Sequence, residues 1–355
     1  MSKKVAVLGG GASGLMMAAD NLLRGNEVRL WEDTEHFAEN LSAVEAAGGI
    51  ELTGAAITGR APVPALSSSM AQVVEGADVV LIAALTQRHE QIYTELAPLL
   101  KDGQAVCFSA GNGSSIGLKR LVAKTADLVV GEMSGNIYPC RLIAPARLVS
   151  AFAYKPKAVA AFPATDTDRL IAAFAEVYEF VPTQNVLAAL LNSPNITVHL
   201  AGSLLNACAI DRNPGFLLYT DGLSENVLKV AGAVEAEKAL VLEALGYPVV
   251  RHIAMLTQVA TYGEYPEFEI FRSLAGPSAL NHRYVTEDAR FGQRILLSVA
   301  KALGINLPVN RALVLLAGVI NDVDYLAEGV TLATLGCTAV TVDGINAYFS
   351  TGKTG

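Results

Sequence analysis

The chain has 355 residues, 52% of them hydrophobic and 17% charged, with a formal net charge of −8. Its length exceeds the usual single core and its apolar content excludes disorder as a class, so two packed domains are expected. The acidic balance leaves no basic footprint for nucleic acid, and no apolar run approaches the roughly 18 residues of a membrane span. Cys107, Cys140, Cys208 and Cys337 lie far apart, with no CxxC and no histidine at ligand spacing, so buried free thiols are expected, without a metal site or disulfide framework. The first strand begins by residue 5, which leaves no room for a secretory leader and points to the cytoplasm.

That strand, Val5-Ala6-Val7-Leu8, runs into Gly9-Gly10-Gly11-Ala12-Ser13-Gly14. Four apolar residues without polar alternation fit a strand buried on both faces of a parallel sheet, and the turn matches GxGxxG through Gly9, Gly11 and Gly14. Gly9 allows the tight turn, Gly11 lets a pyrophosphate approach the backbone, and Gly14 lets the next helix, Leu15 to Arg24, sit close on the strand. Phosphates would rest on backbone N–H groups where that helix begins, around Ala12 and Ser13. A second strand, Glu27 to Trp31, closes on Glu32 and Asp33. A carboxylate there accepts hydrogen bonds from the adenosine ribose and repels a 2′-phosphate, so NAD is expected over NADP. Glu32 is the candidate; Asp33 and Glu35 read as solvated loop charges.

Phe37 to Ala47 reads as a helix, and Ile50 to Pro64 as short strands broken by glycine and proline. Strands follow at Val79 to Ala83 and Gln104 to Ser109, with a helix from Gln87 to Leu100 between them. Leu128 to Glu132, Arg147 to Tyr154 and Ala158 to Ala161 extend the sheet, and a helix from Asp166 leads to the short strand Phe180-Val181-Pro182. This alternation predicts an α/β chain: a doubly wound Rossmann-type parallel sheet over residues 1–184, then an all-α domain over 185–355. Ligands of such sheets sit beyond the carboxyl ends of the strands, where His89 falls.

In the helical half, the only titratable side chain from Val186 to Ile210, apart from Cys208, is His199. Ser193-Pro194 has the form of an N-cap with proline at N1, which starts a helix and puts His199 about a turn and a half inside it. A histidine there needs a partner, either a backbone carbonyl of the core or a catalytic group. Further on, Ala275 to Gly292 reads AGPSALNHRYVTEDARFG. Thr286 is expected to cap a helix reaching about Leu303, with Glu287 and Asp288 in its first turn. Those acids could simply complement the helix dipole and pair with Arg283. Alternatively, Arg283 grips a substrate carboxylate while one acid orients a histidine.

Taken together, the glycine turn, the Gly131-Glu132 to Cys140-Arg141 segment, the histidine in the Asn195 to Asn206 helix and the GPxxLxxRYxxED run from Gly276 to Asp288 resemble the opine dehydrogenases. The resemblance implies His199 as the catalytic histidine, Asp288 as the acid paired with it, and Arg283 as the carboxylate-binding arginine. Arg141 is a further candidate for substrate binding. The cofactor set it suggests is Gly9, Gly11, Ala12, Ser13, Gly14, Glu32, Leu85 and His89, with Leu85 standing where related folds often carry proline. The implied activity joins a 2-oxo acid, pyruvate, to the amino group of an amino acid with NADH as reductant, or the reverse. Small-molecule substrates are the expected partners, and the apolar helical surface, not the resemblance, is what admits a homodimer. The rivals are a ketopantoate-reductase-like or hydroxyacid-dehydrogenase-like enzyme, which would carry a lysine where residues 184–210 have none, and a protein that senses NAD without turnover.

Overall fold

The computed structural model describes residues 2–261 and 263–353. The chain divides into two compact units, residues 1–189 and 190–355. Among the described residues no helix is long and apolar enough to cross a membrane.

Unit 1 contains strands β1 (Lys4–Leu8), β2 (Glu27–Trp31), β3 (Ile50–Gly54), β4 (Gly59–Ala61), β5 (Ala65–Ser67), β6 (Val79–Ile82), β7 (Ala105–Phe108), β8 (Val129–Met133), β9 (Cys140–Ala144), β10 (Arg147–Ser150), β11 (Lys157–Ala161) and β12 (Phe180–Pro182). Eight form one sheet in the order β12-β11-β8-β7-β6-β1-β2-β5. Its strands are parallel from β8 to β5, whereas β11 meets β8 antiparallel. The unbroken apolar strands follow from burial on both faces. Val5, Val7, Leu30, Leu81 and Cys107 pack into one core cluster, and Ala6, Leu8, Trp31, Val80, Ile82 and Phe108 into the other. The chain winds away from β1 in both directions, so the crevice for ligands opens at the carboxyl ends of β1 and its neighbours.

The 147–154 segment does not extend this sheet. Its strand β10 pairs in parallel with β3 and antiparallel with β9, in a separate four-stranded sheet ordered β4-β3-β10-β9. The cause lies in the pattern of the strands. Arg147-Leu148-Val149-Ser150 alternates outward and inward, and β9 exposes Leu142 and Ile143, so these strands suit a sheet with one face in solvent.

All the regular elements described in unit 2 are helices. Ser193 caps helix Pro194–Leu204, as expected, accepting from the Asn195 N–H with Pro194 in the first turn. The expected helix from Thr286 to Leu303 is instead two helices, Arg283–Arg290 and Gly292–Ala302, broken at Phe291. The first starts before Thr286 because His282 caps it, Nδ1 accepting from the Tyr284 N–H at 3.3 Å. The Thr286 hydroxyl turns back toward the His282 carbonyl, the usual bond of a threonine inside a helix. Glu287 and Asp288 consequently lie one turn inside the helix, below Arg283, and not at its amino end.

Candidate active site

The glycine turn has the geometry an extended dinucleotide requires. Gly9 sits at φ +117°, and a side chain there would meet the Ala83 carbonyl oxygen at 2.8 Å. A Cβ on Gly14 would overlap the Gly9 carbonyl, so only glycine lets helix Ala12–Leu23 seat against the turn. At Gly11 a Cβ would meet nothing within 4 Å, which leaves space above the backbone for a phosphate. No side chain caps this helix, so its first N–H groups face that space and suit an anion. These residues fit a nicotinamide dinucleotide.

Glu32, buried at the end of β2, accepts from the Gly10 N–H at 2.7 Å and the Asp33 N–H at 3.1 Å. It therefore braces the turn. Arg88, in the first turn of helix Thr86–Leu96, extends Nη2 to Glu32 Oε1 at 2.7 Å and to Asp33 Oδ2 at 2.5 Å. Asp33 also caps helix Thr34–Asn40 and bonds the His36 ring, so it is a structural acid and not a loop charge. Burial works against its ionisation, yet the His36 bonds and the Arg88 charge hold its carboxyl below the usual range. Arg88 carried no signal in the sequence, because its partners lie 55 and 56 residues away on another strand.

Leu85 lies exposed at the amino end of the Arg88 helix. His89, by contrast, is buried, and both ring nitrogens are engaged by protein. Nε2 donates to the Ala84 carbonyl at 3.1 Å, and Nδ1 accepts from the Ser114 hydroxyl at 2.9 Å. Burial pushes its pKa down to about 4, which keeps the ring in the neutral form these two bonds need. His89 thus joins the loops after β6 and β7. The second of these is strained, with Ala110 and Asn112 at φ +53° and +52°. It is held further by Glu132 of β8, which accepts from the Gly113 N–H at 3.0 Å and the Ser115 hydroxyl at 2.8 Å. Burial drives the Glu132 carboxyl up to about 7 against those bonds. Asn136 accepts from the Ser109 hydroxyl at 2.7 Å and donates to Ser13 Oγ, tying this loop to the glycine turn.

In unit 2, His199 Nδ1 lies 2.8 Å from Asp288 Oδ2, with 4% and 8% of the two side chains exposed. The pair joins helices Pro194–Leu204 and Arg283–Arg290 across 89 residues of sequence. The Tyr284 ring lies flat on the imidazole, with centroids 3.6 Å apart and planes at 12°. Arg283 places its guanidinium 5.0 Å from the Tyr284 centroid and, among the described residues, makes neither hydrogen bond nor ion pair. Burial opposes its charge, while Tyr284, Glu287 and Asp288 hold it more firmly protonated than usual. Of the two alternatives left open by the sequence, the ion pair of Arg283 with Glu287 or Asp288 does not form. A half-buried guanidinium whose donors point at no protein acceptor is suited to bind an anion. Arg141 lies in unit 1 on β9, where Nη1 donates to the Cys140 carbonyl at 2.9 Å.

The sheet, its phosphate-ready turn and a helical unit with a histidine–aspartate pair define an NAD(P)-dependent oxidoreductase, and the comparisons specify one acting on CH–NH donors. Residues 182–321 match the family model described as NAD/NADP octopine/nopaline dehydrogenase, alpha-helical domain. An opine dehydrogenase of Arthrobacter sp. (strain 1C) is 27% identical over 356 residues, covering 97% of this chain and 98% of its own. Among solved structures, an octopine dehydrogenase with NADH and L-arginine superposes with a TM-score of 0.71 at 19% identity, covering 99% of this chain and 98% of its own. A yersinopine dehydrogenase with NADP+ bound gives 0.65 at 18% identity over the same shares, 99% and 98%. Residues 182–321 thus carry the alpha-helical domain of that family model, and nearly the whole chain is similar to opine dehydrogenases.

Proposed function

We propose that the protein catalyses the NADH-dependent reductive condensation of a 2-oxo acid, pyruvate, with the amino group of an amino acid, or the reverse oxidation. The observation that carries this reading is the buried His199–Asp288 pair, with the Arg283 guanidinium, which makes no hydrogen bond among the described residues, one turn away on the Asp288 helix. Unit 1 is the dinucleotide-binding domain. Glu32 and Asp33 share one arginine, so a net negative charge stays at the ribose end and disfavours the 2′-phosphate of NADP.

Arg283 would hold the 2-oxo acid by its carboxylate, through the two parallel bonds its planar fork allows. The amine nitrogen attacks the carbonyl carbon; a C–N bond forms and the carbonyl π pair moves to oxygen, which takes a proton. The nitrogen gives up one of its protons, and a second proton on the oxygen lets it leave as water while the nitrogen lone pair closes the C=N bond, giving the protonated imine. His199 supplies and recovers these protons, a role worth roughly 10²–10⁴ in rate. With Nδ1 bonded to Asp288, the proton passes through Nε2, and the carboxylate balances the imidazolium. Bound NADH supplies the hydride that reduces the imine carbon, while the C=N π pair goes to nitrogen. Arg141 is the candidate for the second carboxylate.

The test is NADH oxidation with pyruvate and each of the twenty amino acids, for the wild type and His199→Ala. Turnover that requires both substrates and falls at least about a hundredfold in the variant supports the reading. Turnover with the oxo acid alone would make the protein a hydroxyacid dehydrogenase, and binding of NADH without oxidation would make it a sensor.

A further inference from the structure

Arg88 takes no part in the transfer of hydride or protons, yet it stands where a dinucleotide would place its adenosine half. It belongs to helix Thr86–Leu96 after β6, while the two acids it binds stand just past the end of β2. β1 runs between those strands, parallel to both, so the side chain crosses the carboxyl end of β1 beside the glycine turn. In a doubly wound sheet that crevice takes the ligand, and the ribose 2′ position is read there by acids or by an arginine. Glu32 is heavily committed, accepting from the Gly10 and Asp33 N–H groups and from Arg88. Arg88 is less so. Its Nη2 alone serves both acids, and among the described residues Nη1 and Nε donate no hydrogen bond. With 24% of the side chain exposed, the guanidinium is within reach of a ligand. Its charge also cancels one of the two carboxylates, so a 2′-phosphate would meet half the repulsion it would meet without Arg88.

We propose that Arg88 sets the cofactor preference: by neutralising one of the two acids and offering a donor to the ribose 2′ position, it admits NADPH as a second cofactor, bound more weakly than NADH. The acids keep their places without it. Asp33 Oδ1 caps helix Thr34–Asn40 and bonds the His36 ring, and Glu32 is held by the Gly10 N–H. Removing the arginine therefore changes the charge and the donors at this end while the acids stay. The inference rests on unit 1 being the dinucleotide-binding domain and is independent of which substrate is reduced.

The test is fluorescence titration of the full chain with NADH and with NADPH, at one pH and low salt. The wild type should bind both, with the Kd for NADPH above that for NADH by less than about a hundredfold. Arg88→Gln, which keeps an amide donor for Glu32 but no charge, should weaken NADPH by about tenfold or more while NADH stays within about threefold. Asp33→Asn, which can still cap its helix, should tighten NADPH by about fivefold or more with NADH within about threefold. A wild type that binds NADH but not NADPH overturns the proposal. So does an Arg88→Gln variant that weakens both nucleotides alike, or NADH more, which is the behaviour of a bridge that only steadies Glu32. If the glutamine variant does not fold, Asp33→Asn decides, and an unchanged ratio of the two Kd values overturns the proposal. Should the wild type bind neither nucleotide, the dinucleotide reading of unit 1 fails and this inference with it. Binding of both as expected, without turnover of any 2-oxo acid and amino acid, supports the role of Arg88 and removes the opine reading alone.

Discussion

The dinucleotide turn of unit 1 is built mainly from backbone, whereas the His199 site of unit 2 is built from side chains on two helices. At the turn the decisive facts are a positive φ at Gly9, a helix seated where Gly14 has no Cβ, and open space above Gly11. Side chains such as Glu32 and Asn136 serve to brace it. At His199 the backbone is ordinary helix, and the chemistry arises where one helix brings a carboxylate, an aromatic ring and a guanidinium to another. The first kind of site fails when an atom is added. The second fails when an atom is removed.

The largest effect should therefore come from the side-chain site. His199→Ala is expected to lower kcat by roughly 10²–10⁴ in steady-state assays while leaving the NADH Kd, measured by fluorescence titration, close to wild type. If NADH binding falls in parallel, the two regions are not separable in this way. Next, Arg283→Ala should raise KM for the 2-oxo acid by roughly thirtyfold or more, since losing a charged partner costs about 2–5 kcal/mol. Arg283→Lys should recover only part of it, because an ammonium cannot form the two parallel bonds.

The backbone site makes the opposite prediction. Gly14→Ala forces a Cβ against the Gly9 carbonyl and should destabilise the protein by about 2 kcal/mol or more in denaturant melts. Gly11→Ala meets no protein atom, so its melting curve should match wild type while NADH binding weakens by about tenfold. Equal stability losses in the two variants would remove the distinction between a packing glycine and a ligand glycine.

The last expected effect is one of pH and concerns the brace under the strained loop. Glu132 is raised to about 7 in the fold from an ordinary 4.5, chiefly by burial. Its folded form thus holds the proton more tightly than the unfolded chain does. The stability this contributes is complete below about pH 4.5 and is lost as pH rises through about 7, on the order of 3 kcal/mol in all. Thermal melts should show the wild type losing more stability than Glu132→Gln between pH 5 and pH 8. Parallel curves would show that this carboxyl does not titrate in that range.

Much of unit 1 was legible because its constraints are local. An apolar run followed by glycines at fixed spacing dictates strand, turn and helix within a few residues of one another, and β1 with helix Ala12–Leu23 follows that expectation closely. Ser193-Pro194 is a local signal of the same kind. Expectation failed where a partner outside the pattern in the sequence settled the outcome. Strand β10 joined the smaller sheet because β3, nearly a hundred residues earlier in the chain, offered it a parallel edge. The helix expected to begin at Thr286 began earlier because a histidine ring competed for the cap. His89 became a loop clasp because its two nitrogens met Ala84 and Ser114.

The sequence by itself determined the alternation of strand and helix, the glycine turn suited to a dinucleotide, the acid at the end of the second strand, and the residues that resemble the opine dehydrogenases. Each of these is written in spacings shorter than a few turns of chain or in a shared pattern of residues. The tertiary structure shows the Asp288–His199 bond that the resemblance implied, and it alone decided that Tyr284 covers the imidazole, that Arg88 spans Glu32 and Asp33, and that Arg283 meets no acceptor among the described residues. Hydrogen bonds and ring stacking act over about 3–4 Å in space whatever the separation in sequence, so such contacts exist only once the packing of the core has fixed where each helix lies.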